Sequence, residues 1–148
     1  MNIEELLEFE EGFRAEPYID SEGYPTCGIG TKLGPKNTPL SFYEFTFTPE
    51  VARLMLSKEV ELGRYKLSKL NWYNSLTHDR KIIIQSMHYQ LGYAGLLGFK
   101  KMIQAIKDED WAEVKAQSLD SKWFKQTPER ATRHAAALGG SRLIHIYK

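Results

Sequence analysis

Glu11, Asp20 and Thr26 fall within EEGFRAEPYIDSEGYPTCGIG, residues 10–30, a stretch dense in acids, glycines and aromatics. Two carboxylates facing one another are the minimum equipment for hydrolysing a glycosidic bond: one protonates the leaving oxygen while the other activates water or attacks. Glu11 ends an amphipathic helical start, where the helix macrodipole disfavours further negative charge and suits a proton donor. Asp20 opens a polar, solvated turn, which suits the ionised partner. Thr26 follows in a strand-like piece and brings a hydroxyl to the same neighbourhood. Composition alone would read Glu11 as a helix-end charge and Asp20 as an ordinary turn residue, since aspartate is common in turns.

The elements that must position these groups are legible from periodicity and punctuation. Asn2 and Glu5 form a capping pair, Ile3, Leu6 and Leu7 share a face, and the first helix stops at Gly12. Residues 14–33 read as short strands around tight turns, and 34–47 as an irregular loop with room for one more strand. Thr48 and Pro49 open a long helix that runs to about residue 67. Thr77 is a candidate cap for HDRKIIIQSMHYQLG, residues 78–92. Three shorter helices follow in GFKKMIQAIK, DEDWAEVKAQSL and TPERATRHAAALGG. The expected class is α+β and mainly helical: a small N-terminal lobe with a short antiparallel sheet, a connecting helix, and a larger helical C-terminal lobe, with a cleft between lobes.

Composition bounds the function. The 148 residues are 42% apolar and include three Trp, eight Tyr and seven Phe, enough to bury a core without disulfide staples. Cys27 is the single cysteine, so no intramolecular disulfide forms, and it reads as a buried structural thiol. A net charge of +1 excludes the strongly basic profile of a dedicated nucleic-acid binder. The charge is unevenly spread: residues 1–60 hold 5 Lys/Arg against 11 Asp/Glu, and residues 61–148 hold 15 against 8. His78, His88, His134 and His145 lack metal-ligand spacing, so no metal and no cofactor is implied. The acidic N-terminus has neither a basic n-region nor an apolar h-region, and no stretch has the length of a membrane span.

EGFRAEPYIDSEGYPTCGIGTKLG closely resembles the signature of the phage-type lysozymes: Glu-Gly, an Asp eight residues past that Gly, then Gly-Tyr-x-Thr-x-Gly-x-Gly. MHYQLGYAGLLGFKKMIQAI resembles the family's helix that carries an aromatic and Gln-x-Gly, and SKWFKQTPERATR its Gln-Thr-Pro segment with following arginines. The resemblance implies one lysozyme-like domain over 1–148, divided as 1–12 first helix, 13–47 small lobe, 48–67 connecting helix and 68–148 helical lobe. It implies hydrolysis of the β-1,4 bond between N-acetylmuramic acid and N-acetylglucosamine in bacterial peptidoglycan, by an inverting route. Glu11 then matches the general acid, Asp20 the opposing carboxylate, and Thr26 the hydroxyl that helps hold the attacking water. Lys32, Leu33, Tyr89, Gln90 and Gly92 match substrate-binding positions. Arg130 and Arg133, three apart on one helix face, match partners of Glu11 and Glu10. Trp123 and Phe124 are expected to pack the lobe.

The sequence departs from the family after GIG: Thr31 stands where many relatives have histidine, Lys32 where an apolar residue is found, and the 34–47 loop is short. With no leader or anchor segment, the resemblance implies a monomeric lysis enzyme made in the host cytoplasm. It would reach the periplasmic wall after release by a separate holin-type protein, or be carried in a virion. The reading from another class is a catalytically silent wall-binding or virion structural protein, against which Glu11, Asp20 and Thr26 speak.

Overall fold

The computed structural model describes residues 1–148. The chain divides into two compact units, one formed by Glu4–Glu61 and one by Leu62–Lys148 together with Met1–Ile3.

The first unit holds α1 (Ile3–Glu11), β1 (Arg14–Ile19), β2 (Pro25–Gly28), β3 (Thr31–Lys32) and most of α2 (Pro49–Leu67). Leu6 and Leu7 of α1 are fully buried, as their helical spacing from Ile3 anticipates. The strands form one antiparallel sheet in the order β1-β2-β3, with a register irregularity between Arg14 and Tyr18. All of β2 is buried. A Cβ at Gly28 would meet Phe47 Cδ2 at 2.8 Å and Ala52 Cβ at 3.1 Å, so the sheet lies close against the end of the loop and the start of α2. Cys27 is the buried thiol expected: its Sγ lies 3.3 Å from Ala15 O, and burial pushes its ionisation up.

The extra strand allowed for in 34–47 does not form. Pro35 and Pro39 remove ladder donors, and Leu40–Phe42 curls into a 3₁₀ turn. The loop is tied down instead by Phe47 N–H donating to Ala15 O at 2.8 Å and by Phe45 stacking on Phe47. Thr48 caps α2 as expected, its Oγ1 accepting from Val51 N–H at 3.2 Å.

The second unit continues with α3 (Asn71–Asn74), α4 (His78–Leu97), α5 (Lys100–Lys107), α6 (Trp111–Leu119), α7 (Lys122–Gln126), α8 (Pro128–Leu138) and α9 (Leu143–Ile146). α4 is its centre: Ile82, Ile83, Ile84, Ser86 and Met87 are all buried, which requires cover on more than one side. Asp110 and Ser121 cap α6 and α7, accepting from Glu113 and Phe124 N–H at 3.1 Å each. Thr77 occupies the cap position of α4 with extended backbone but makes no side-chain cap bond. Gly92 does not end α4: it kinks the helix at φ 78°, ψ 170°, and the helix resumes to Leu97. That backbone region is open to glycine and essentially closed to other residues.

Candidate active site

Within the first unit the chain gathers the expected catalytic residues around one sheet. α1 ends on Glu11, and the β2–β3 turn comes back to meet it. Gly30, at φ 67°, is so close that a Cβ there would stand 2.7 Å from Glu11 Oε2. A side chain at position 30 would therefore displace the Glu11 carboxyl, which gives the second glycine of the GIG motif a physical reason. Asp20 closes the β1–β2 hairpin. Its Oδ1 accepts from Glu22 N–H and Tyr24 N–H, each at 2.9 Å, while Gly23 N–H donates to its carbonyl. Two amide donors on one oxygen fix the carboxylate's direction.

Thr26 is 2% exposed and lies directly opposite Tyr18 on one side and Lys32 on the other. Directly paired residues point to the same face, so Tyr18, Thr26 and Lys32 form a row across the sheet. Thr26 Oγ1 donates to Tyr24 O at 2.9 Å, committing its proton and leaving its lone pairs to accept from a water. Tyr18 was not singled out from the sequence. Burial raises its hydroxyl above the usual tyrosine range, and the charges of Glu11 and Asp20 add to this against the lowering by Arg14. The phenol is thus in electrostatic reach of both carboxylates, with the Arg14 guanidinium 4.1 Å from its ring centroid. Strand alternation was the signal that could have found it.

Lys32 is exposed and lies over the Tyr24 ring at 4.2 Å. Leu33 is half-buried and donates from N–H to Pro25 O. Glu10 sits half-buried in the last turn of α1. Thr31 is buried and its Oγ1 finds no hydrogen-bond partner, a cost of about 1–3 kcal/mol for a buried polar group.

The remaining expected residues belong to the second unit. Tyr89 and Gln90 are half-buried in the last turn before the Gly92 kink. Gln90 is gripped from two sides: its Oε1 accepts from Trp123 Nε1 at 2.9 Å, and its Nε2 donates to Thr127 Oγ1 at 3.3 Å. Trp123 is buried and packs edge-on against Phe99 and His134, as expected of a packing residue. Beside this network opens a pocket of about 570 Å³, lined among others by Leu91, Phe99, Gln117 and Gln126, none of which the sequence reading named. Its aromatic residues were visible in the sequence; that they and α6 meet there is a product of tertiary packing.

Arg130 is buried. Its Nη2 donates to Ser86 Oγ at 2.9 Å. Ser86 Oγ in turn lies 2.7 Å from His134 Nε2, and Tyr147 OH lies 3.1 Å from His134 Nδ1. Complete burial, with the positive charges of Arg130 and Arg133 adding to it, pushes His134 well below the usual histidine range. Both ring nitrogens are engaged and the ring is neutral, so this is a polar core network. Arg133 reaches over the Tyr147 ring at 5.9 Å.

Comparison with known proteins gives the family. Residues 8–137 match the phage lysozyme family model. A probable T4-type lysozyme of Dictyostelium discoideum is 29% identical, with 89% of this chain and 90% of that protein covered. The pre-baseplate central spike protein Gp5 of Enterobacteria phage T4 is 29% identical over 90% of this chain but only 27% of its own length. The peptidoglycan hydrolase gp36 of Pseudomonas phage phiKMV is 32% identical over 86% of this chain and 14% of its own. With its acidic pair set around the small sheet, the chain belongs to the phage lysozyme family and is a lysozyme-type hydrolase.

Proposed function

We propose that this enzyme cleaves the β-1,4 bond between N-acetylmuramic acid and N-acetylglucosamine in peptidoglycan, with inversion at the anomeric carbon. Glu11 protonates the departing glycosidic oxygen. Asp20 takes a proton from a water held with Thr26, and that water attacks the opposite face of the sugar. One observation carries the reading. Glu11 is seated on Gly30, Asp20 is pinned by two amides, and Thr26 in the intervening strand has its proton committed and its lone pairs open. A water that donates to Thr26 and to Asp20 has its own lone pair directed elsewhere, which is what an attacking water needs. In this reading Lys32, Leu33, Tyr89, Gln90 and Gly92 serve glycan binding.

Digestion of purified peptidoglycan followed by borohydride reduction tests the bond assignment. Reduced N-acetylmuramic acid at the new ends is expected; reduced N-acetylglucosamine would assign the other linkage and overturn it.

The biological setting we propose is lysis of a host bacterium by a phage. The enzyme acts as a monomer, is made in the host cytoplasm, and reaches the wall after a holin-type protein opens the membrane. No helix is long and apolar enough to cross a membrane. A second reading, the same chemistry carried in a particle, is favoured by the likeness to a pre-baseplate spike protein. Antibody detection of the chain in purified, nuclease-treated virions separates the two: its presence there supports the particle, its absence the lysis role.

A further inference from the structure

A second pocket, of about 590 Å³, opens in the helical unit where α3 begins and α5 turns into α6. None of the residues assigned to catalysis or glycan contact above lines it. Trp72 on α3 and Trp111 at the head of α6 contribute its two indoles, and the buried side chains of Leu76 and Ile106 contribute its floor. Trp111 is held in advance of any ligand. The Arg80 guanidinium lies 3.5 Å from its ring centroid, and Arg80 is itself anchored by donating from Nε to Leu138 O at 2.9 Å. Arg80 thus covers one indole face of a ring that also lines the pocket.

The rim is polar. Lys69, Asn71, Lys107 and Glu109 stand around it. Glu109 adopts φ 55°, and the bonds Glu109 N–H to Ile106 O and Asp110 N–H to Ala105 O, both 3.0 Å, form the paired closure of a helix end. Glycine is the usual residue at that left-handed position. Here a glutamate occupies it at a backbone cost glycine would not incur, and the result is a carboxylate on the pocket wall.

Two indoles over an apolar floor, with amide, carboxylate and ammonium groups at the rim, complement a pyranose ring. Such a ring offers an apolar C–H face to an indole and a periphery of hydroxyl and acetamido groups to hydrogen-bonding side chains. Lys69 and Lys107 complement the carboxylates that peptidoglycan carries. The volume falls within the roughly 300–1,000 Å³ of small-ligand sites. A lipid surface fits less well, because it would bury Glu109 and Asn71 without partners and set a carboxylate against anionic headgroups. We propose that this pocket is a second, non-catalytic glycan site that holds an N-acetylated hexosamine unit of a peptidoglycan strand. It rests on the peptidoglycan reading above and extends it: a chain gripped at two places stays on the insoluble wall between cleavages, as linked sites raise effective concentration.

The test uses the whole chain carrying Glu11→Gln, so that glycan is bound and not consumed. Titration of the ¹⁵N-labelled protein with the N-acetylglucosamine tetramer is expected to move the indole resonances of Trp72 and Trp111; resonances that stay fixed at saturation of the catalytic site would overturn the proposal. In co-sedimentation with purified sacculi, adding Trp72→Ala is expected to weaken retention by about threefold to tenfold, the scale of one aromatic contact. Equal retention with a correctly folded double variant would also overturn it. So would binding to phosphatidylglycerol vesicles without binding to sacculi, which would make the pocket a membrane contact. Reducing-end release by the parent enzyme is read separately. Loss of that activity with Trp72 shifts intact sinks the catalytic reading alone, and activity without any Trp72 effect sinks the second site alone.

Discussion

Glu11 and Asp20 are the two carboxylates to which the proposed mechanism gives the parts of proton donor and base. Two backbone N–H donors on one oxygen fix Asp20, and Gly30 lies against the Glu11 carboxyl. Glu11→Gln keeps the shape and removes the donated proton. Hydrolysis of peptidoglycan should fall by about a hundredfold or more, with folding at least as stable as in the parent. Near-parental turnover by a purified, folded sample would remove Glu11 from the mechanism. His134 gives a second prediction. Its folded-state pKa is lowered by burial and by Arg130 and Arg133, so the unfolded chain takes up the proton first. Stability is then full above the unfolded value of 6.5 and is lost as pH falls below it toward the folded value, at up to about 1.4 kcal/mol per pH unit. Burial lowers His88 too, which adds a contribution of the same sign. Urea unfolding at pH 7.5 and 5.5 should show the loss, and His134→Gln should shrink it; an unchanged difference would contradict a neutral buried ring. Both carboxylates and Thr26 were legible in the sequence because the signature is local. Tyr18 lies in the same stretch and strand alternation carries its signal, whereas the Arg130–Ser86–His134–Tyr147 network depends on partners from separate segments.

Apart from α4, the helices of eight residues or more announced themselves through apolar spacing and caps: α1, α2, α5, α6 and α8 lie where periodicity placed them. The four- and five-residue helices α3, α7 and α9 did not. A helix so short has no nucleation-paying length of its own and exists through tertiary contact, so its sequence carries little of the signal. Gly92 is the instructive miss. A glycine after Gln90-Leu91 reads as a helix stop, yet the chain makes a single glycine-only kink and continues, because Leu96 beyond it is buried in the core. Gly92→Ala meets no atom within 4 Å at its Cβ, so crowding is absent and backbone conformation alone opposes it. The variant should lose about 1–3 kcal/mol of stability. Denaturation at parental stability would show that the kink can relax.

At the scale of the molecule, the proposed substrate is an insoluble anionic polymer. Residues 61–148 hold 15 basic against 8 acidic side chains, and peptidoglycan carries carboxylates. Long-range attraction should therefore aid capture of the wall and fade with salt. Lysis of permeabilised cells should slow modestly between about 0.01 and 0.15 M ionic strength, over which the screening length shrinks from roughly 30 to 8 Å. A rate that is flat or rises across that range would exclude steering. Inversion needs room for the attacking water, with the two carboxyl groups roughly 6.5–9.5 Å apart against about 5–5.5 Å for a retaining pair. Proton NMR of the first-formed product decides directly between the two routes. From the β-linked substrate, a water placed by Asp20 and Thr26 must yield the α-anomer first, with the β-anomer growing in only by mutarotation. A β-anomer appearing first would mean a retaining path and would contradict the role given to Asp20.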